Sequence, residues 1–243
     1  MQPYYLFCLP HAGGSAMIYA RWLETVDPAI KLVPLELPGR GTRFKDRPYA
    51  SIGPLVEELH RKVSTYVAGG SDYALFGHSM GALLTYELAR RIAAGGERMP
   101  RHLIVSGLKA PQLINRAWEP LSHLPDDELK ARLAEMGGTP QAVMDNEELM
   151  QLFLPVIRAD FRLLDEYAHE PKEKLAVPVT VLTGNQDRMT EAEMLAWREL
   201  TSGRFGLHTF PGGHFYLADQ TREVSERINE ALLGGRLQQW LWR

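Results

Sequence analysis

The sequence predicts an α/β domain: a mostly parallel central sheet with helices on both faces. Three observations carry this. Short apolar runs of strand length recur along the chain, at 4–9, 30–35, 73–76, 102–107, 177–184 and 207–210, with helical patterns between them. Gly77-His78-Ser79-Met80-Gly81 is a G-x-S-x-G set between a strand-like run and a helix-forming run, the context in which a strained turn presents a serine hydroxyl above a sheet. Residues 111–175 carry helical patterns only and break the alternation.

The elements follow in order. Tyr4-Tyr5-Leu6-Phe7-Cys8-Leu9 is a continuous apolar run ended by a turn, which reads as a buried strand. The turn, Pro10-His11-Ala12-Gly13-Gly14-Ser15, is similar to the glycine-rich loops that donate a backbone N–H to an oxyanion, with Ala12 in place of one glycine. His11 belongs to that segment and is expected to brace the loop. The strand at 30–35 leads into Glu36-Leu37-Pro38-Gly39-Arg40-Gly41, a tight loop. Leu55, Val56, Leu59 and Val63 have helical spacing over 52–67, and Gly69-Gly70 ends that helix. The helix after Ser79 is expected to end near Gly95-Gly96, and a closing helix to cover 217–233. In the long helical stretch, Asp126-Asp127-Glu128 starts one helix and Asn146 another, with a break or kink expected at Pro155. A crossover in a parallel sheet needs one helix. The excess is therefore expected to be an insertion: 1–110 and 176–243 form the core, and 111–175 a helical lid over the strand ends. The alternative for that stretch is a second small core that only packs down.

Composition excludes several functions. A formal net charge of −3 gives no affinity for nucleic acid or anionic membranes. No apolar run reaches membrane-spanning length. The N-terminus lacks the basic region of a signal peptide, and the single cysteine, Cys8, cannot form an internal disulfide. Both point to the cytoplasm, with a monomer as the default state. Cys8 lies within an apolar strand, where an inert buried thiol is expected.

A serine nucleophile needs a base, and the base an orienting acid. With this elbow the chain order is serine, acid, histidine. His102 and His208 sit at or in strands, His123 and His169 in the helical stretch; His214 follows the last strand in the loop Pro211-Gly212-Gly213-His214-Phe215. Gly184-Asn185-Gln186-Asp187 follows the preceding strand and ends in an acid, whereas Leu108-Lys109-Ala110-Pro111 has none. Ser79, Asp187 and His214 are thus the expected triad. Asp160 and Asp165 lie in the insertion and are expected to cap or brace helices. The N–H groups of Met80 and Ala12 are the expected oxyanion donors, each worth roughly 3 kcal/mol in comparable sites. The histidines are scattered, so no metal or cofactor is expected.

Taken together, Pro10-His11-Ala12-Gly13-Gly14, Leu35-Glu36-Leu37-Pro38-Gly39-Arg40-Gly41, Gly77-His78-Ser79-Met80-Gly81, Arg158-Ala159-Asp160-Phe161 and Gly213-His214-Phe215 resemble the stand-alone type II thioesterases of nonribosomal peptide and polyketide synthesis. The resemblance spans nearly the whole chain. It implies an α/β-hydrolase fold with a mobile helical lid. It also implies hydrolysis of acyl thioesters from the phosphopantetheine arm of partner carrier domains, as editing of misprimed or stalled assembly lines. The acid loop departs from the commoner Gly-Asp/Glu-x-Asp, which leaves Asp187 aligned. The rivals are a medium-chain acyl-carrier-protein thioesterase of fatty acid synthesis, a terminal thioesterase domain, a general esterase, and a non-catalytic acyl- or partner-binding protein. A chain that opens on its first strand is expected to be stand-alone, and an intact triad is expected to be catalytic.

Overall fold

The computed structural model describes residues 3–114, 120–139 and 141–240. Strands β1 (Tyr4–Leu9), β2 (Ile30–Pro34), β3 (Tyr73–His78), β4 (Leu103–Ser106), β5 (Val179–Gly184) and β6 (Phe205–Phe210) form one sheet in the order β2-β1-β3-β4-β5-β6. Every ladder in it is parallel. The helices are α1 (Ile52–Val67), α2 (Met80–Ala94), α3 (Asp126–Met136), α4 (Gln141–Met144), α5 (Glu147–Asp165), α6 (Glu191–Leu195) and α7 (Thr221–Trp240), and a long 3₁₀ segment covers Ala16–Glu24. The expected α/β class, mostly parallel with helices on both faces, is what the chain adopts.

Continuous apolar runs make strands here because both faces of the sheet are covered. Alternate residues of β1 and β3 serve opposite cores. Phe7, Leu9 and Leu75 join Leu55, Leu59 and Leu83 of α1 and α2. Leu6, Cys8 and Phe76 join Tyr19, Trp22, Val224 and Ile228 on the other side. Cys8 is fully buried, and burial pushes its thiol pKa up, as an inert core residue requires.

Sheet order places the site. From β1 the chain steps to β2 on one side, then returns to β3 on the other, so β1 and β3 are neighbours at a topological switch point. Ligands in open parallel sheets bind beyond the carboxyl ends of strands at such a point. The register Leu9↔Gly77, His78↔Ser106 and Gly184↔Phe210 brings the segments that follow β1, β3, β4, β5 and β6 to that edge.

Between β4 and β5 the described residues hold only helical elements: a 3₁₀ turn at Pro111–Leu113, then α3, α4 and α5. Asn146 caps α5 by accepting the Leu149 N–H at 3.1 Å, with Glu147 and Glu148 in the first turn. Of the break or kink expected at Pro155, the break does not occur: the helix runs on through the proline. Proline removes one backbone bond there. Buried Met150 and Leu154 before it, with Ile157, Phe161 and Leu164 after it, hold both halves against the core and outweigh that loss. The closing helix also differs from expectation: it starts at Thr221, after a 3₁₀ turn at Tyr216–Ala218, and continues to Trp240. Trp242 lies outside the described residues. Among the described residues no helix is long and apolar enough to cross a membrane.

Candidate active site

Ser79 is the one non-glycine residue with positive φ among the described residues, at φ 55° and ψ −119°. Such strain persists only where the surroundings over-determine it. The flanking glycines show how. A Cβ on Gly77 would run into the carbonyl of Gly81, and one on Gly81 into the carbonyl of Leu9. The elbow can close only because both side chains are missing. The Ser79 N–H donates to the Ser106 carbonyl at 2.7 Å, which ties the turn to the end of β4. Helix α2 then begins at Met80, so its N-terminal amides and positive dipole end lie beside the serine.

The loops that carry Asp187 and His214 are knitted to each other. Asn185 and Gln186 donate their N–H groups to the Phe210 and Gly212 carbonyls at 2.8 and 2.9 Å. The Gly212 N–H donates to Asn185 Oδ1 at 3.1 Å. A Cβ on Gly184 would collide with the carbonyls of Gly212 and Gly213. His214 Nδ1 lies 2.9 Å from Asp187 Oδ2. A carboxylate accepts, so this nitrogen carries the proton and Nε2 is the basic one. Asp187 Oδ1 accepts the Arg188 N–H at 2.7 Å, and the carboxylate is 2% exposed. His214 Nε2 is buried and has no hydrogen-bond partner among the described residues. It lines the same cavity as Ser79.

The glycine-rich loop forms a tight turn. The Gly14 N–H donates to the His11 carbonyl at 2.9 Å, and Gly13 takes φ 74°, the type II pattern. His11 Nδ1 lies 2.9 Å from the Ala12 carbonyl, so it donates there and braces the loop, as expected from its position. Burial lowers the pKa of His11 to about 4. Burial likewise holds His78 well below the usual histidine range. His78 Nδ1 sits 2.9 Å from Ser106 Oγ, which lies 2.7 Å from the Tyr216 hydroxyl. Phe215 packs edge-on against His11 and His214, with centroids at 4.8 and 4.9 Å. The neighbours of His214 are therefore neutral rings, and they neither repel an imidazolium nor compete for Asp187.

Ser79 and His214 open into a cavity of about 390 Å³. Leu108, Leu121, Met136, Phe161, Leu164 and Met189 give it apolar walls. Arg132, Glu135 and Arg188 add charge, with Arg188 3.3 Å from Glu135. Among the described residues no group of three or more His, Cys, Asp or Glu is placed to hold a metal.

Some functional contacts were invisible in the sequence. Asp160 does not cap a helix. Its Oδ2 accepts the Gly13 N–H at 2.7 Å, and both its oxygens meet Arg40, at 2.5 and 2.8 Å. Asp165 does brace the helical stretch, by accepting the Ser122 N–H at 2.8 Å. The only sequence signal for the Asp160 pairing was the presence of Arg158-Ala159-Asp160-Phe161 and Pro38-Gly39-Arg40-Gly41 among the distinctive motifs. Nothing in their spacing joined them.

Known proteins resemble this chain in sequence and fold. The thioesterase domain family model matches residues 5–232. Thioesterase PikA5 of Streptomyces venezuelae is 36% identical over 230 residues, covering 94% of this chain and 80% of that protein. Among solved structures, the type II thioesterase BorB from the borrelidin biosynthetic cluster is 39% identical with a TM-score of 0.86, covering 95% of this chain and 93% of that one. A relative of Brevibacillus parabrevis named linear gramicidin dehydrogenase LgrE is 36% identical over 231 residues, covering 93% of this chain and 87% of its own length. The G-x-G-x-x-G fingerprint of a dinucleotide site does not occur in this sequence. The medium-chain S-acyl fatty acid synthase thioesterase of Rattus norvegicus is more distant, at 29% over 222 residues, covering 90% of this chain and 83% of that protein. The chain belongs to the thioesterase domain family.

Proposed function

We propose that this thioesterase is a stand-alone type II enzyme that hydrolyses acyl thioesters from the phosphopantetheine arm of carrier domains, clearing misprimed or stalled acyl groups from an assembly line. The observation that carries the mechanism is the His214–Asp187 pair at 2.9 Å, with the free Nε2 of His214 in one cavity with a strained Ser79. His214 Nε2 takes the proton as Ser79 Oγ attacks the thioester carbonyl. Asp187 holds the ring and stabilises the imidazolium. The Met80 and Ala12 N–H groups bind the tetrahedral oxyanion. Collapse breaks the C–S bond, and His214 returns its proton to the leaving sulfur. Water activated by His214 then attacks acyl-Ser79, releasing the acid and restoring the serine.

The relatives named for biosynthetic thioesterases support the substrate class. In this account residues 111–175 form a lid on the core of 1–110 and 176–243. Leu121, Met136, Phe161 and Leu164 from that segment face the cavity and would hold the acyl chain. No metal or cofactor takes part, and the enzyme works as a cytoplasmic monomer on a partner carrier domain. The test compares acetyl-, aminoacyl- and long-chain acyl-carrier proteins with the same acyl groups on N-acetylcysteamine. We expect kcat/KM to be at least about tenfold higher for short acyl groups on the carrier than on the free thiol. Equal rates would contradict carrier recognition, and a preference for medium or long chains would restore the fatty acid rival.

A further inference from the structure

Two motifs of the sequence remain unused by this mechanism, and in the fold they meet. Arg40 comes from the loop after β2, Asp160 from the C-terminal half of α5. Both are buried, with 3% and 4% of their side chains exposed. Arg40 spends its donors locally: Nη1 and Nη2 on Asp160, Nε and Nη2 on the Pro38 carbonyl at 3.2 Å, and Nη1 also on the Gly14 carbonyl at 3.3 Å. Asp160 Oδ2 accepts the Gly13 N–H at 2.7 Å. One turn earlier on α5, Ile157 covers the same spot: a Cβ on Gly13 would come within 2.7 Å of its Cγ1.

The Ala12–Gly13 peptide is therefore held at both ends. Its carbonyl accepts from His11 Nδ1 at 2.9 Å, and its N–H donates to Asp160. That peptide is the central one of the turn, and rotating it by about half a turn converts a type II turn into type I. A rotated peptide would carry the Ala12 carbonyl to the opposite face and break its bonds to His11 and Asp160; the Ala12 N–H lies on the preceding His11–Ala12 peptide and depends on that turn for its direction. A bidentate carboxylate–guanidinium pair is a rigid way to prevent this, because both planes are fixed.

We propose that Asp160, clamped by Arg40, is the positioning residue of the oxyanion hole, and that it ties α5 of the helical stretch to the loop that stabilises the transition state. It touches neither substrate nor Ser79. It acts through Gly13 on Ala12, and the proposal rests on Ala12 as an oxyanion donor.

The experiment measures three quantities on the full chain: kcat and KM for acetyl-N-acetylcysteamine, inhibition by phenylboronic acid, and melting temperature. A boronic acid forms a tetrahedral adduct on the serine and so reports the hole. Replacing only one partner leaves a buried charge unpaired, so the decisive protein is the double variant Arg40→Leu/Asp160→Leu, which removes both charges. We expect its kcat to fall about a hundredfold, within the range for losing one oxyanion donor. KM should stay within about threefold, and boronic acid affinity should fall in proportion to kcat. Asp160→Asn keeps an oxygen for the Gly13 N–H but weakens the pair with Arg40, and should recover about tenfold of both losses, which leaves it about tenfold below wild type. It decides the matter if the double variant does not fold. A folded variant lacking the carboxylate whose kcat and boronic acid affinity stay within threefold of wild type overturns the clamp alone. If wild type binds the boronic acid no better than Ser79→Ala does, the oxyanion reading fails, and the clamp with it.

Discussion

The two halves of the cavity are built differently. The half at the sheet ends is held by backbone. Ser79 is pinned by the Ser106 carbonyl and by two glycine contacts, and the acid and base loops exchange main-chain bonds. The half formed by α3 and α5 is held by side chains. Arg158 donates to the Ser122 and Leu124 carbonyls at 2.5 and 2.7 Å and meets Asp126. Lys130 pairs with Glu147 at 3.0 Å, and Arg188 with Glu135 at 3.3 Å, on exposed surface. Exposed ion pairs contribute little, about 0–1 kcal/mol each. In the proposed mechanism the reacting groups sit on a frame fixed by main-chain bonds, while the wall of α3 and α5 rests on apolar side chains packed into the main core, among them Leu129, Leu133, Leu154 and Phe161, and its surface ion pairs add little. The Arg40–Asp160 clamp is the exception, since it fastens α5 to the frame.

This contrast can be broken from either side. The largest effect should come from the frame. Asp187→Asn keeps the shape of the acid but removes its charge and its fixed acceptor role toward His214 Nδ1. A loss of about a thousandfold or more in kcat is expected, with the melting temperature nearly unchanged. A loss below tenfold would show that the 2.9 Å contact is structural only.

A pH titration of stability probes the same frame. In the unfolded chain a histidine takes a proton near pH ~6.5. In the folded chain burial lowers His11 to about 4 and moves His78 in the same direction. Between those values the unfolded state binds more protons, so stability falls as pH drops from ~6.5 toward 4. Urea midpoints measured across that range should decline less steeply for His11→Gln than for wild type. Equal slopes would mean that His11 is not held neutral by the fold.

The smallest effect should come from the wall. Arg188→Gln removes one exposed partner of Glu135 and should change stability by less than about 0.5 kcal/mol and kcat by less than about threefold. A larger loss of kcat on the free thioester would place Arg188 in the chemistry rather than on the rim.

Much of the frame was legible in the sequence because its signals are local. The elbow is written in five consecutive residues, and Asp187 and His214, the proposed acid and base, each follow a strand in a loop. Chain order then separates His214 from His102 and His208. The remaining features depend on distance. Arg40 and Asp160 are 120 positions apart, and no periodicity links them. The chain His78–Ser106–Tyr216 joins the ends of β3 and β4 to the 3₁₀ turn at Tyr216–Ala218 by side-chain contacts. Continuity of α5 through Pro155 was hidden for a related reason: local propensity favours a break, and burial on both sides of the proline overrides it.

The central claim is that one serine on this frame performs the hydrolysis. Its most direct test is titration of the enzyme with a fluorophosphonate, with labelled peptides read by mass spectrometry and acyl-thioester hydrolysis assayed in parallel. One adduct per chain is expected, on Ser79, with activity lost in proportion to labelling and no adduct on Ser79→Ala. Full hydrolytic activity with Ser79 fully labelled would contradict it.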